Sequence, residues 1–135
     1  MTDQFMYPPK DAKVLENQSS IMWFDENGIL CSVSKKSPAM TIEESKATID
    51  DFTKFTEGKK VCMLSDSTHS TPPNKEMRDW VATVLPGLVK AVAVVSKSAV
   101  GIMIANLFFS IKRQPYPIKM FDNVEDAKAW LKQYL

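Results

Sequence analysis

The densest run of chemistry-bearing side chains is Asp66-Ser67-Thr68-His69-Ser70-Thr71, which gathers a carboxylate, four hydroxyls and the single histidine of the chain. An imidazole beside hydroxyls and a carboxylate invites a hydrolytic reading. Triad members, however, are assembled from separate segments rather than from neighbours in one loop. The sequence also has no Gly-x-Ser-x-Gly elbow. Hydroxyls and loop amides ahead of a helix suit recognition better, because they can hold an anion or small ligand or present a phosphoacceptor. Asp66, Ser67, His69, Ser70 and Thr71 are therefore the candidate binding or phosphoacceptor residues, with no catalytic residue assigned. The plainer reading is that these residues form turns and cap the next helix.

Other chemistries lack their parts. One histidine and scattered carboxylates make no metal-ligand cluster at usable spacing, so no metal and no cofactor are expected. Cys31 and Cys62 lie in apolar, strand-like runs and read as buried free thiols. With 4 glycines there is no glycine-rich phosphate loop of the Walker or Rossmann kind. The 17 basic and 16 acidic side chains leave a formal charge of +1, so no global field favours nucleic acid or anionic lipid. Lys35-Lys36, Lys59-Lys60 and Lys112-Arg113 read as dispersed, solvated pairs. The expectation is a non-enzymatic domain.

These side chains need a scaffold, and 135 residues with 44% hydrophobic content are enough for one packed domain. Residues 1–12 read as a flexible leader with Pro8-Pro9 near its end, and 13–135 as the domain. The N-terminus has no basic and apolar signal pattern, and Ala99–Phe109 is shorter than the roughly 20 residues a spanning helix needs. A cytoplasmic location without a membrane span is expected.

Ser20–Asp25 and Ile29–Ser34 are apolar runs joined around Asn27-Gly28, which predicts a hairpin with a type I′ turn. In the second run Ile29, Cys31 and Val33 share one face, and Leu30, Ser32 and Ser34 the other. Thr41-Ile-Glu-Glu44 is a capping box opening a helix with Ile42, Ile49, Phe52 and Phe55 inward, ending at Gly58. Lys60–Leu64 reads as a buried strand. Ser65–Asn74 follows as a polar loop. A second helix carries Met77, Trp80, Val81, Val84 and Leu88 at helical period and breaks near Pro86-Gly87. Ala91–Val95 is a strand covered on both faces. A third helix runs from Ser98 to about Ile111, a short strand covers Pro117–Phe121, and a last helix capped by Asp122 buries Val124, Ala127, Leu131 and Tyr134. The order is ββαβαβαβα: about five strands with an antiparallel N-terminal hairpin, and four helices.

The third helix has an apolar arc wider than a one-sided surface helix needs. Either neighbouring elements cover it or one flank serves a partner. Ile102, Met103, Phe108 and Phe109 are the interface candidates, and a homodimer is the preferred expectation.

Lys90-Ala-Val-Ala-Val-Val-Ser96, the apolar helix after Ser98, and Phe121-Asp-Asn-Val-Glu-Asp-Ala-Lys-Ala-Trp-Leu131 resemble the SpoIIAA-like family, relatives of the STAS domains of anti-sigma-factor antagonists. The resemblance spans about residues 20–135 and implies a STAS-like α/β fold acting through protein–protein interaction. Those antagonists carry a phosphorylatable serine in an Asp-Ser-x-Gly element. Asp66-Ser67-Thr68-His69 lacks that glycine, and the resemblance places Ser70 or Thr71 nearest the phosphoserine. STAS-like folds are also similar to lipid-carrying Sec14-type domains. The first alternative is therefore a carrier or sensor of a small apolar ligand lined by Trp23, Trp80, Phe108 and Phe109. A hydrolase using His69 is the remote one.

Overall fold

A computed structural model describes residues 5–71, 73–99, 102–103 and 115–135. Its framework is a six-stranded mixed sheet in sequential order: β1 (Val14–Glu16), β2 (Ser20–Phe24), β3 (Leu30–Ser34), β4 (Val61–Asp66), β5 (Val89–Val95) and β6 (Ile118–Phe121). β1, β2 and β3 pair antiparallel, whereas β3 through β6 pair parallel. The described helices are α1 (Ile42–Phe55), α2 (Lys75–Val84) and α3 (Val124–Lys132), with a 3-10 turn over Leu85–Gly87 where Pro86 ends the α-helical pattern.

The mixed α/β architecture and its hairpin follow the sequence expectation, with corrections that have local causes. The sheet has six strands, not about five. β1 escapes the hydrophobic pattern because it is a three-residue edge strand with Val14 and Glu16 exposed. The hairpin is not closed by a two-residue type I′ turn. Gly28 has φ +82° but Asn27 has no positive φ, and the loop runs from Asp25 to Ile29. Asp25 Oδ1 organises it by accepting the N–H of Asn27 and of Ile29, both at 2.9 Å. β4 extends to Asp66, so this carboxylate ends a strand rather than starting a loop. The cap of α3 is Asn123, whose Oδ1 accepts the Asp126 N–H at 2.8 Å, in place of Asp122. The capping box of α1 is present: Thr41 Oγ1 accepts from Glu44 N at 3.1 Å and Glu44 Oε1 from Thr41 N at 2.9 Å. That backbone donor first, then the Gln18 amide, hold the Glu44 carboxyl below its ordinary value. After α1, Glu57 as well as Gly58 turns left-handed.

Each face of the sheet is covered. On one, Cys31, Val33, Cys62, Leu64, Ala91, Ala93 and Val95 pack against Ala127 and Leu131 of α3. The small Ala91 and Ala93, both 0% exposed, let that helix sit close. Phe5 and Met6 join this core, so these two residues of the expected 1–12 leader are packed in place, with 1–4 outside the described residues. On the other face Leu30, Met22 and Val61 meet Phe52 and Phe55 of α1, while Val92 and Val94 meet Tyr116 and Leu85. Cys31 and Cys62 are free and buried, and burial pushes the Cys31 thiol up to about 12 and raises Cys62. Neither is a thiolate at neutral pH.

Of the expected third helix, Ala99, Ile102 and Met103 are helical, and the Ile102 N–H donates to Ser98 O at 3.0 Å. The rest of that helix, including Phe108 and Phe109, lies outside the described residues. No helix among the described residues is long and apolar enough to cross a membrane.

The hairpin loop is fastened to α3 by Lys128 Nζ and Asp25 Oδ2 at 3.0 Å, with the Asp25 side chain only 4% exposed. Burial alone would lower the Lys128 ammonium. The Asp25 carboxylate paired with it, together with the negative groups around it, outweighs burial and raises it above 10.5. A raised value means the stabilisation is complete below about pH 10.5 and is lost as pH climbs through the folded-state value. Lys128→Met should therefore cost about 1–3 kcal/mol at pH 7 and show a shallower alkaline decline than the parent. Urea unfolding at a series of pH values checks this, and parallel curves for the two proteins would refute it.

Candidate functional site

Asp66 is 1% exposed, at the C-terminal end of β4. Its Oδ2 accepts the Phe5 N–H at 2.8 Å, and its Oδ1 accepts both the backbone N–H and the hydroxyl of Thr68. Thr68 Oγ1 in turn accepts the Lys97 N–H at 2.9 Å. A buried carboxylate needs this set of donors. Asp66 thus shapes the loop and is not positioned to hold a ligand. Ser67 is also turned inward. Its N–H donates to Val95 O at 2.9 Å, and its hydroxyl is buried with no hydrogen-bond partner. His69 is held through its backbone N–H, which donates to Ser34 Oγ at 2.9 Å, and its imidazole makes no hydrogen bond to a described hydroxyl or carboxylate.

The loop therefore serves as a wall. Beside it lies a cleft of about 270 Å³ at the C-terminal end of β3 and β4, between the first turns of α1 and α2. Its floor comes from the sheet itself. Ser20 of β2 pairs with Ser34 of β3, and Ser32 of β3 pairs with Ser65 of β4, which sets four hydroxyls on one face across three strands. Ser45 of α1 and Met77 of α2 close the inner end, with Ser45 Oγ 3.6 Å from Met77 Sδ. Residues 37–40, Ser70, Thr71 and Asn74 make the rim, and Thr71 Oγ1 donates to Ser37 O at 2.6 Å. Asn74 caps α2 through the Met77 N–H.

The floor hydroxyls differ in what they have to bond. Ser34 Oγ accepts from His69, and Ser20 Oγ lies 3.4 Å from Asn17 Oδ1. Ser32 is only 5% exposed, lines the cleft, and its hydroxyl has no hydrogen bond to another described residue; Ser65 Oγ likewise has none. Both hydroxyls open onto the cleft on a face whose neighbouring position Leu30 is apolar, where the fold alone would favour a β-branched apolar residue. They are available to a polar molecule in the cleft.

A second, more open depression of about 560 Å³ adjoins it and is lined by Lys36, Thr68, His69, Ser70, Lys97 and Ser98. Ser70 lines both. The structure thus brings Ser70 and Thr71 to the cleft and His69 and Ser70 to the neighbouring shelf, while Asp66 and Ser67 become part of the support. Among the interface candidates, Ile102 and Met103 are 41% and 62% exposed. Trp23, expected in an apolar cavity, is 3% exposed and packed in the core. No group of metal-ligating side chains occurs among the described residues.

Ser20, Ser32, Ser34 and Ser65 were not singled out by sequence reasoning. The signal was present in the alternation of Leu30, Ser32 and Ser34. It identifies a site only once β3 is known to be interior with both faces covered.

Removing a hydroxyl that has no partner strands nothing, so Ser32→Ala should change the unfolding free energy by no more than about 0.5 kcal/mol, or increase it. Asp66→Ala strands three donors and should cost roughly 2–4 kcal/mol. Paired urea melts measure both, and a large loss for Ser32→Ala would show that its hydroxyl is structural.

Residues 22–135 match the model of a family described as a domain of unknown function, DUF7793. No curated protein and no solved structure matches the chain.

Proposed function

The chain belongs to the DUF7793 family, and from that premise we propose that it is a non-catalytic recognition domain that takes a small polar ligand in the serine-lined cleft. The observation that carries this reading is Ser32, nine-tenths buried with its hydroxyl lacking a partner at the floor of the cleft. Hydroxyls both donate and accept, so a rigid floor of them recognises a hydroxylated or oxyanionic molecule without needing a fixed charge. The cleft is just below the roughly 300–1,000 Å³ of typical small-molecule sites, which suits a ligand of metabolite size.

This reading keeps recognition in place of catalysis, and it moves the site from the loop to the sheet surface beside it. A STAS-like fold is part of the same proposal. The antiparallel opening followed by parallel strands alternating with helices supports it. The apolar-carrier alternative loses Trp23 to the core, although Met40, Pro73 and Met77 give the cleft an apolar side. The hydrolase alternative gains no support from His69, whose imidazole meets neither a hydroxyl nor a carboxylate among the described residues.

The test is two-dimensional ¹H–¹⁵N NMR of the full chain titrated with a panel of neutral and charged polar metabolites. Binding should shift the amides of residues 32–37 and 65–71, and Ser32→Ala should weaken it at least tenfold. Saturable shifts confined to other surfaces, or unchanged affinity in Ser32→Ala, would overturn the reading.

A second reading, self-association, is favoured by the exposure of Ile102 and Met103. Light scattering should then show a dimer that Met103→Asp weakens. A monomer at high protein concentration contradicts it.

A further inference from the structure

The two depressions meet at Ser70, and their linings differ in kind. The cleft combines a floor of hydroxyls with apolar lining from Pro38, Met40, Pro73 and Met77, and the Lys35 at its lip is paired with Glu16. The shelf carries Lys36, Lys97 and His69 around the hydroxyl-bearing Thr68, Ser70 and Ser98. No aspartate or glutamate lines either one among the described residues, although the chain as a whole is close to charge balance. Lys36 makes no ion pair with a described residue. Lys97 Nζ lies 5.0 Å from the centroid of the Phe5 ring, a contact that holds the ammonium in place without neutralising it. Lys35, at the lip of the cleft, is by contrast tied to Glu16 at 2.9 Å. A cationic shelf opening onto a hydroxyl-lined cleft is complementary to one kind of small molecule, with an anionic end and a hydroxylated body.

Resting on the cleft reading above, we propose that the ligand is a phosphate monoester of a small polyol or sugar. The body lies over Ser32 and Ser65, and the phosphate lies on the shelf between Lys36 and Lys97. A dianionic phosphate with several acceptor oxygens uses the two ammonium groups and the Ser70 hydroxyl together. Ser32 and Ser65, whose hydroxyls have no partner among the described residues, hydrogen-bond the hydroxyls of the body. The buried carboxylate of Asp66 supports both halves. It fixes Thr68, whose hydroxyl accepts the Lys97 N–H, and this sets the shelf against the cleft.

Isothermal titration calorimetry of the full chain tests this, with ribose 5-phosphate and glucose 6-phosphate run against ribose, glucose and inorganic phosphate at matched ionic strength. The expected result is that at least one sugar phosphate binds ten times or more tighter than both its parent sugar and inorganic phosphate. In K36Q/K97Q the advantage over the parent sugar should fall to within threefold, while Ser32→Ala should weaken sugar and sugar phosphate alike. Circular dichroism of each variant establishes that it is folded. Equal affinity for a sugar and its phosphate overturns the phosphate assignment and leaves the cleft reading standing. Inorganic phosphate binding as tightly as the sugar phosphates overturns the assignment of the body. Absence of binding by every sugar phosphate overturns the proposal, and the metabolite-panel titration then decides the cleft reading separately.

Discussion

The cleft end of this fold depends on a carboxylate kept out of water. Asp66 sits at the end of an interior strand with almost no exposure and accepts donors from two places, the N-terminal segment through Phe5 and the following loop through Thr68. Thr68 extends the connection to Lys97, two residues beyond β5. A charge so placed is tolerated only while these donors stay in position. The strand end, the loop and the N-terminal residues are therefore held as one unit. That unit is the wall against which the cleft and the shelf are formed.

The remaining architecture explains why the cleft is left open. Parallel strands covered on both faces ordinarily carry apolar side chains throughout, and β5 does so, with six of its seven residues buried. β3 and β4 depart from this rule near their C-terminal ends, where Ser32, Ser34 and Ser65 replace the expected apolar residues on the face shared with α1 and α2. Further down the same face, Leu30 and Phe52 pack closely. Along this face the sheet changes from apolar positions that pack on α1 to hydroxyls that line the cleft. Polar side chains set against the local requirements of the fold are where function is expected to override stability.

Most of the scaffold was legible in the sequence because its signals are local. The Thr41 capping box, the Ala91–Val95 run and the Pro86-Gly87 break each act within a few residues, and each lies where the pattern put it. The hairpin was legible in position but not in turn type, because the Asp25 side chain takes over the geometry that Asn27 was expected to supply. β1 was not legible, since a three-residue edge strand buries too little to leave a periodic trace. The Asp66–Thr71 loop borders the cleft through Ser70 and Thr71, while its most conspicuous members, Asp66 and Ser67, are held by the fold. Asp66 and Ser67 point into the protein, and only the geometry of the folded chain shows it. The serine floor is non-local. Ser20, Ser34, Ser32 and Ser65 come from three strands, and their adjacency is a property of strand register that no spacing in the sequence encodes.

A crystal structure of the protein, grown with the sugar phosphate of highest affinity, addresses the central claim most directly. Electron density for that molecule is expected in the cleft, with an oxygen within hydrogen-bond reach of Ser32 Oγ. Helices α1 and α2 closed down on the sheet, with the Ser32 hydroxyl bonded to the protein and no space above it, would contradict the account.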